Sequence, residues 1–210
     1  ATLDGLEPRA GRVRSGISEI RVRLTTALGL DQNPGTVPGF GTVLAHDART
    51  LLRRHRGGEW RIVLTDDEGR LQHVLLARRR PRRSRPRGRC DRRPRGHHDR
   101  PCTAIVELQV PTTLLAALRP DDHGDWAPLL TELRSRLTGI GARPGAPPEL
   151  ADDLTRRRPR AEIDRWVRVR DRHCVAPRCR RPAHKADLDH TLAHALGGPT
   201  SSWNLGVWDR

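Results

Sequence analysis

The chain contains no methionine and no tyrosine, one phenylalanine (Phe40) and one lysine (Lys185). With so few rings available, a packed interior has to be economical and rich in leucine. Hydrophobic residues make up 35% of the sequence and the mean hydropathy is -0.70, so part of the chain is expected not to pack at all. Four cysteines are too few for the disulfide scaffold of a small secreted protein, which points to a reducing, cytoplasmic compartment. No apolar run approaches the length of a membrane span and no charged-then-apolar leader opens the chain, so no membrane partner is expected. The missing methionine and the start at Ala1 in mid-pattern read as a fragment, or as a frame that begins upstream.

What the chain has in excess is arginine. Lys185 is the single lysine among 40 basic residues, the net charge is +15 and the isoelectric point is near 11.5. Guanidinium groups bind phosphate through paired hydrogen bonds and are weakly hydrated, which suits a polyanion. Each phosphate neutralised also releases counterions, so such a surface binds nucleic acid without reading its sequence. A coding sequence rich in G and C would supply the same arginine, with the alanine, glycine and proline that accompany it. Charge alone therefore leaves both explanations open.

Along the chain, Ile20, Val22 and Leu24 alternate with Arg21 and Arg23 as a strand. A Pro/Gly loop follows at Asn33, Pro34, Gly35, Pro38, Gly39 and Gly41. Leu44, Ala48, Leu51, Leu52 and His55 then recur at helical spacing. Trp60, Ile62 and Leu64 form a second strand, and a turn at Asp66–Gly69 leads into a third at Leu71–Leu75. Residues 1–77 thus read as a small α+β unit. Residues 78–101 hold 12 arginines, interrupted by Pro81, Pro86, Pro94 and Pro101. They are expected to be disordered, since they cannot bury enough apolar surface to offset backbone ordering. This segment reads as an arm along phosphates, a solvated linker or a frame slip. Residues 102–138 read as a strand at Ala104–Val110 and two helices, the second carrying Trp126, Leu129, Leu130, Leu133 and Leu137 on one face. Residues 139–160 read as a linker. A helix through Ile163, Trp166, Val167 and Arg170 opens the last unit, 161–210.

The chemistry-bearing residues concentrate in that last unit. Cys174 and Cys179 bracket a four-residue knuckle that can bring two thiolates onto one ion; two idle thiols would look the same. His173, His184 and His194 stand near them without convincing finger spacing, and Cys90 and Cys102 receive no role. Asp189–His190 pairs a carboxylate that can hold a divalent cation with an imidazole that can take a proton from water. Neighbouring residues on a regular strand face opposite sides, so the two serve one site only at a strand end or bulge.

The order Arg170-Asp171-x-x-Cys174, Cys179, Asp189-His190, Gly197-Gly198-x-Thr200 and Asn204-Leu205 resembles the HNH endonuclease module. More closely, it is similar to the C-terminal module of the bacterial 13E12-repeat family, which joins a domain of unknown function (number 222) to an HNH nuclease. Leu28–Asp31, Pro38–Gly41, Trp60-Arg61 through Thr65-Asp66, and Gly69–Leu71 resemble the preceding domain of that family. The resemblance implies a ββα-metal finger that hydrolyses phosphodiester bonds in DNA with Mg²⁺ or Mn²⁺. On that pattern His190 is the general base, Asp189 a catalytic metal ligand and Asn204 the brace of the loop. Cys174 and Cys179 are half of a structural zinc site, and Arg170, Arg172, Arg180 and Arg181 contact nucleic acid. The family continues after Asn-Leu with a Cys and a final histidine pair, whereas this sequence reads Gly206-Val207-Trp208-Asp209-Arg210, with Asp209 near the place of that Cys. The expectation is therefore an α+β protein with an HNH finger lacking its last element and with little or no cleavage of its own. No small-molecule cofactor is expected, and the oligomeric state is not legible. The alternatives are a non-catalytic, Arg-rich nucleic-acid-binding zinc protein and a decayed reading frame.

Overall fold

A computed structural model describes residues 19–82, 104–139 and 154–209. The expected disorder of 78–101, Cys90, Cys102 and most of the 139–160 linker fall largely or wholly outside these residues.

The fold is α+β. Strands β1 (Glu19–Arg23), β2 (Gly35–Val37), β3 (Gly41–Val43), β4 (Glu59–Thr65), β5 (Leu71–Leu76) and β6 (Ile105–Pro111) form one mixed sheet in the order β3-β2-β1-β6-β4-β5. β6 runs parallel to both β1 and β4, with Ile20 opposite Val106 and Ile62 opposite Leu108. The hairpins β2–β3 and β4–β5 extend the two edges in antiparallel fashion. Residues 19–77 and 104–139, separate in the sequence reading, therefore share one sheet. The Pro/Gly stretch read as a loop supplies β2 and β3, turned at Pro38–Phe40. Gly35 is needed there, because a Cβ on it would press on Ala48 at 2.9 Å.

Period-2 alternation gives the sheet two chemically different faces. Ile20, Val22, Trp60, Ile62, Leu64, Val106, Leu108 and Val110 lie in one core with the helices α1 (Leu24–Leu28), α2 (Ala45–Arg54), α3 (Thr112–Ala117) and α4 (Ala127–Gly139). Trp60 packs tilted against Trp126 with ring centroids 5.9 Å apart. The opposite face carries Glu19, Arg21, Arg61 and Glu107, and it too is buried.

The C-terminal unit meets that polar face. Helix α5 (Ala161–Asp171) presents Ile163, Trp166 and Val167 to Ala183, Leu205 and Val207, with Leu71 and Val74 of β5 completing the cluster. Arg172 Nη1 donates to Glu107 Oε1 at 3.1 Å, Arg21 Nε donates to Glu19 Oε1 at 2.5 Å, and His184 Nδ1 stands 3.0 Å from Glu19 Oε2. Taking the carboxylates and guanidiniums out of water is costly, and each is met there by an opposite charge. Arg172 ends α5 in a left-handed conformation (φ 62°) that costs a non-glycine residue roughly 1–3 kcal/mol. Strands β7 (Asp187–His190) and β8 (Leu205–Trp208) close the chain as an antiparallel pair. Among the described residues no helix is long and apolar enough to cross a membrane.

Candidate active site

The hairpin β7–β8 places the candidate chemistry at its two ends. Asp187 pairs with Trp208 at one end and His190 pairs with Leu205 at the other. His190 is the last residue of β7, next to the loop that begins at Thr191. The Asp189 carboxylate folds back along the chain, and its Oδ1 accepts the His190 backbone N–H at 2.9 Å. Both residues keep the ladder register, Asp189 opposite Gly206 and His190 opposite Leu205.

The loop from Thr191 to Asn204 is wrapped around Asn204, which is 3% exposed. Its Oδ1 accepts from Leu192 N at 2.9 Å, while Nδ2 donates to Leu192 O at 3.1 Å and to Pro199 O at 2.8 Å. The Asn204 carbonyl accepts from Thr191 N at 2.7 Å. Gly198 lets the loop close, since a Cβ there would collide with the Leu192 carbonyl. From α5, Arg170 braces the same region: Nη1 bonds the Ser202 carbonyl and Nη2 the Leu205 carbonyl at 2.8 Å.

His190 Nε2 lies 2.7 Å from Thr200 Oγ1. Thr200 is buried and its hydroxyl donates to the Arg156 carbonyl. A hydroxyl has one proton to give, so Thr200 can only accept from the ring. The proton therefore sits on Nε2, and Nδ1 is left with the lone pair. Burial, the His194 ring at a centroid distance of 5.6 Å and the Arg157 charge all push the His190 pKa below its ordinary value, against the pull of Asp189. The imidazole is consequently neutral near pH 7.

At the far end of the hairpin, Val175 N donates to Val207 O at 2.8 Å and lays the cysteine knuckle beside β8. Cys174 Sγ accepts from Ala176 N at 3.4 Å and from Asp209 N at 3.2 Å, and Cys179 Sγ is 3.7 Å from Asp209 Oδ2. Burial raises the Cys174 pKa, but the two backbone N–H groups aimed at its sulfur outweigh that and lower it. The knuckle thus brings the two cysteines and Asp209 into one neighbourhood, short of the four ligands that zinc takes. Among the described residues no cluster of three or more His, Cys, Asp or Glu side chains is spaced to hold a metal ion.

The arginines named from the sequence divide into two groups. Arg170 and Arg172 are engaged within the protein, on β8 with its preceding loop and on Glu107 respectively. Arg180 and Arg181 are exposed on the knuckle side, where Arg181 Nε donates to Lys185 O at 2.8 Å and faces Asp209 Oδ1 at 3.2 Å. Sequence reasoning missed Arg156, Arg157 and Arg158. They lie in the stretch read as a linker, yet Thr200 N contacts Leu154 O at 3.4 Å and His194 Nε2 contacts Thr155 O at 3.3 Å, which holds them beside His190. In the sequence Thr200 stands out only as the end of a Gly-Gly-x-Thr pattern, and no periodicity marks its contact with His190.

Against known proteins, no protein-family model matches the chain and no solved structure matches it. A 48-residue segment is 46% identical to the uncharacterized protein Rv3776 of Mycobacterium tuberculosis (strain ATCC 25618 / H37Rv). That segment is 23% of this chain and 9% of the relative, so the chain spans a small part of the curated protein it resembles.

Proposed function

We propose that the chain carries an HNH-type nuclease module of the 13E12-repeat kind, acting on phosphodiester bonds in DNA in the cytoplasm. The observation that carries this reading is the oriented imidazole: His190, tied through Nε2 to Thr200, offers Nδ1 as the acceptor for a water proton. The hydroxide so formed attacks phosphorus, one P–O ester bond breaks, and the leaving oxygen takes a proton from solvent. Asn204 acts by holding the loop that carries this geometry. Asp189 would hold a divalent cation such as Mg²⁺ or Mn²⁺, which supplies charge stabilisation on the phosphate when bound. Cys174 and Cys179, with Asp209 beside them, would hold a structural zinc ion. The described residues assemble no group of three metal-ligating side chains. The exposed arginines at Arg156–Arg158 and Arg180–Arg181 favour a second reading, a non-catalytic arginine-rich zinc protein that binds nucleic acid.

A plasmid-nicking assay with Mg²⁺ or Mn²⁺ separates the two. It is run on this chain and on a version continued beyond Arg210, each with its His190→Ala counterpart. Nicking that disappears in His190→Ala while DNA binding persists supports the nuclease. Equal activity with and without the imidazole, or binding with no nicking in either version, overturns it.

A further inference from the structure

Trp203 is the outlier among the five tryptophans. Trp60 and Trp166 are buried and Trp126 and Trp208 are partly buried, whereas Trp203 is 69% exposed. An indole holds some of the largest apolar surface of any side chain, and exposed apolar surface grouped at one place marks an interaction site. Leu192 and Leu196, 50% and 77% exposed, belong to the same loop. The base of Trp203 is rigid on both sides. Arg170 holds the Ser202 carbonyl before it, and the Asn204 side chain after it is fixed to Leu192 and Pro199. A ring presented on so fixed a base is pre-organised for a flat partner.

A charged segment packs against the same loop. Arg156, Arg157 and Arg158 are all exposed, and the Thr200–Arg156 and His194–Thr155 contacts lay their backbone against the same loop. Phosphate-binding guanidiniums and an exposed ring, carried on two segments that meet at the loop after His190, form the combination that holds a nucleic-acid strand by its backbone and by a base face. A continuous duplex offers no base face, because every base is stacked on its neighbours.

We propose that Trp203 and the Arg156–Arg158 run grip a single-stranded or locally unpaired stretch of DNA, with one base stacked on the indole and the flanking phosphates on the guanidiniums. The inference rests on the nuclease reading for the bond cut, and gives that reading its substrate form. An unpaired strand brings its backbone to His190 without the unstacking that a duplex would require.

The test is binding of the full chain to a fluorescein-free single-stranded oligonucleotide and to the matching duplex, followed by tryptophan fluorescence with no divalent cation added. The single strand is expected to quench the emission and to bind more tightly than the duplex. Trp203→Ala should abolish most of the quenching and weaken single-strand binding about tenfold or more, with duplex binding little changed. Trp203→Phe should keep most of the affinity while losing the quenching signal. Replacing Arg156, Arg157 and Arg158 together by alanine should flatten the salt dependence of single-strand binding by roughly 2. Trp203 is exposed, so a cooperative melt like that of the parent checks that each variant is folded. Unaltered single-strand affinity in Trp203→Ala, a preference for duplex, or self-association lost in that variant in place of oligonucleotide binding overturns the inference. If the stacking result fails while nicking still depends on His190, this inference falls alone. If it holds while His190→Ala leaves nicking untouched, the nuclease reading falls alone.

Discussion

Asn204 clasps Leu192 in both directions, accepting its N–H at 2.9 Å and donating to its carbonyl at 3.1 Å. One planar amide thereby satisfies a main-chain donor and a main-chain acceptor across the mouth of the β7–β8 loop. Asn204→Asp removes both N–H donors and sets a buried anion against two carbonyl oxygens. We expect a loss of about 3 kcal/mol in urea-unfolding stability, larger than for Asn204→Ser. Parent-like stability of Asn204→Asp would show that the amide nitrogen is not needed.

Thr200 sets the tautomer of His190. Thr200→Val keeps the shape and removes the hydroxyl, so the ring proton is no longer held on Nε2. Ring ¹⁵N shifts, assigned with His190→Ala, should report the Nε2–H form in the parent and in Thr200→Ser, and a mixture in Thr200→Val. The same pattern in all three would show that the hydroxyl plays no part.

Acid should unlock the polar side of the sheet. Burial alone would raise the Glu19 pKa, but His184 and Arg21 beside it overcome that and hold it at about 2, against 4.5 for the free side chain. A lowered carboxyl pKa contributes stability that is present above the unfolded value and is lost as pH falls towards the folded one. Between pH 4.5 and 2, Glu19 should therefore account for about 3 kcal/mol of lost stability. Denaturant titrations across that range should show a clearly shallower slope for Glu19→Gln, and parallel curves would refute the assignment.

The knuckle should respond to zinc and its removal. Two backbone N–H groups aimed at Cys174 Sγ lower its pKa from the ordinary thiol value, which makes it the easier of the two sulfurs to ionise for a metal. Added zinc should raise the melting temperature of the chain and a chelator should reverse this, with Cys174→Ser abolishing the response. A melt indifferent to zinc would leave the sulfurs as ordinary thiols.

Much of the fold was legible. The alternations at Ile20–Val22, Trp60–Leu64 and Ile105–Val110 lie in β1, β4 and β6, although Leu24, read as part of the first strand, opens α1, and the apolar spacing of Leu129, Leu130 and Leu133 lies in α4. What alternation could not convey is that the face carrying Glu19, Arg21 and Glu107 is covered as well. A charged residue on every second position normally means solvent, and only the arrival of Arg172 and His184 from far along the chain makes it an interior. The hairpin β2–β3 was hidden because its glycines and prolines are turn signals before they are strand residues. At the site, Asp189, His190 and Asn204 stood out by order and spacing. The contributions of Thr200, Arg156–Arg158 and Trp203 depend on a loop folding back on a distant segment, which no local pattern records.

The central strand of the sheet is the last of its six to be synthesised. Until residues 105–111 leave the ribosome, β1 and β4 have no β6 to join them. An emerging chain thus carries two apolar strand edges awaiting one partner, the condition under which nascent proteins pair with one another. Any message or processing event that stops before Ile105 would yield a sticky half-sheet, so this protein's solubility in the cell is tied to the completeness of its translation.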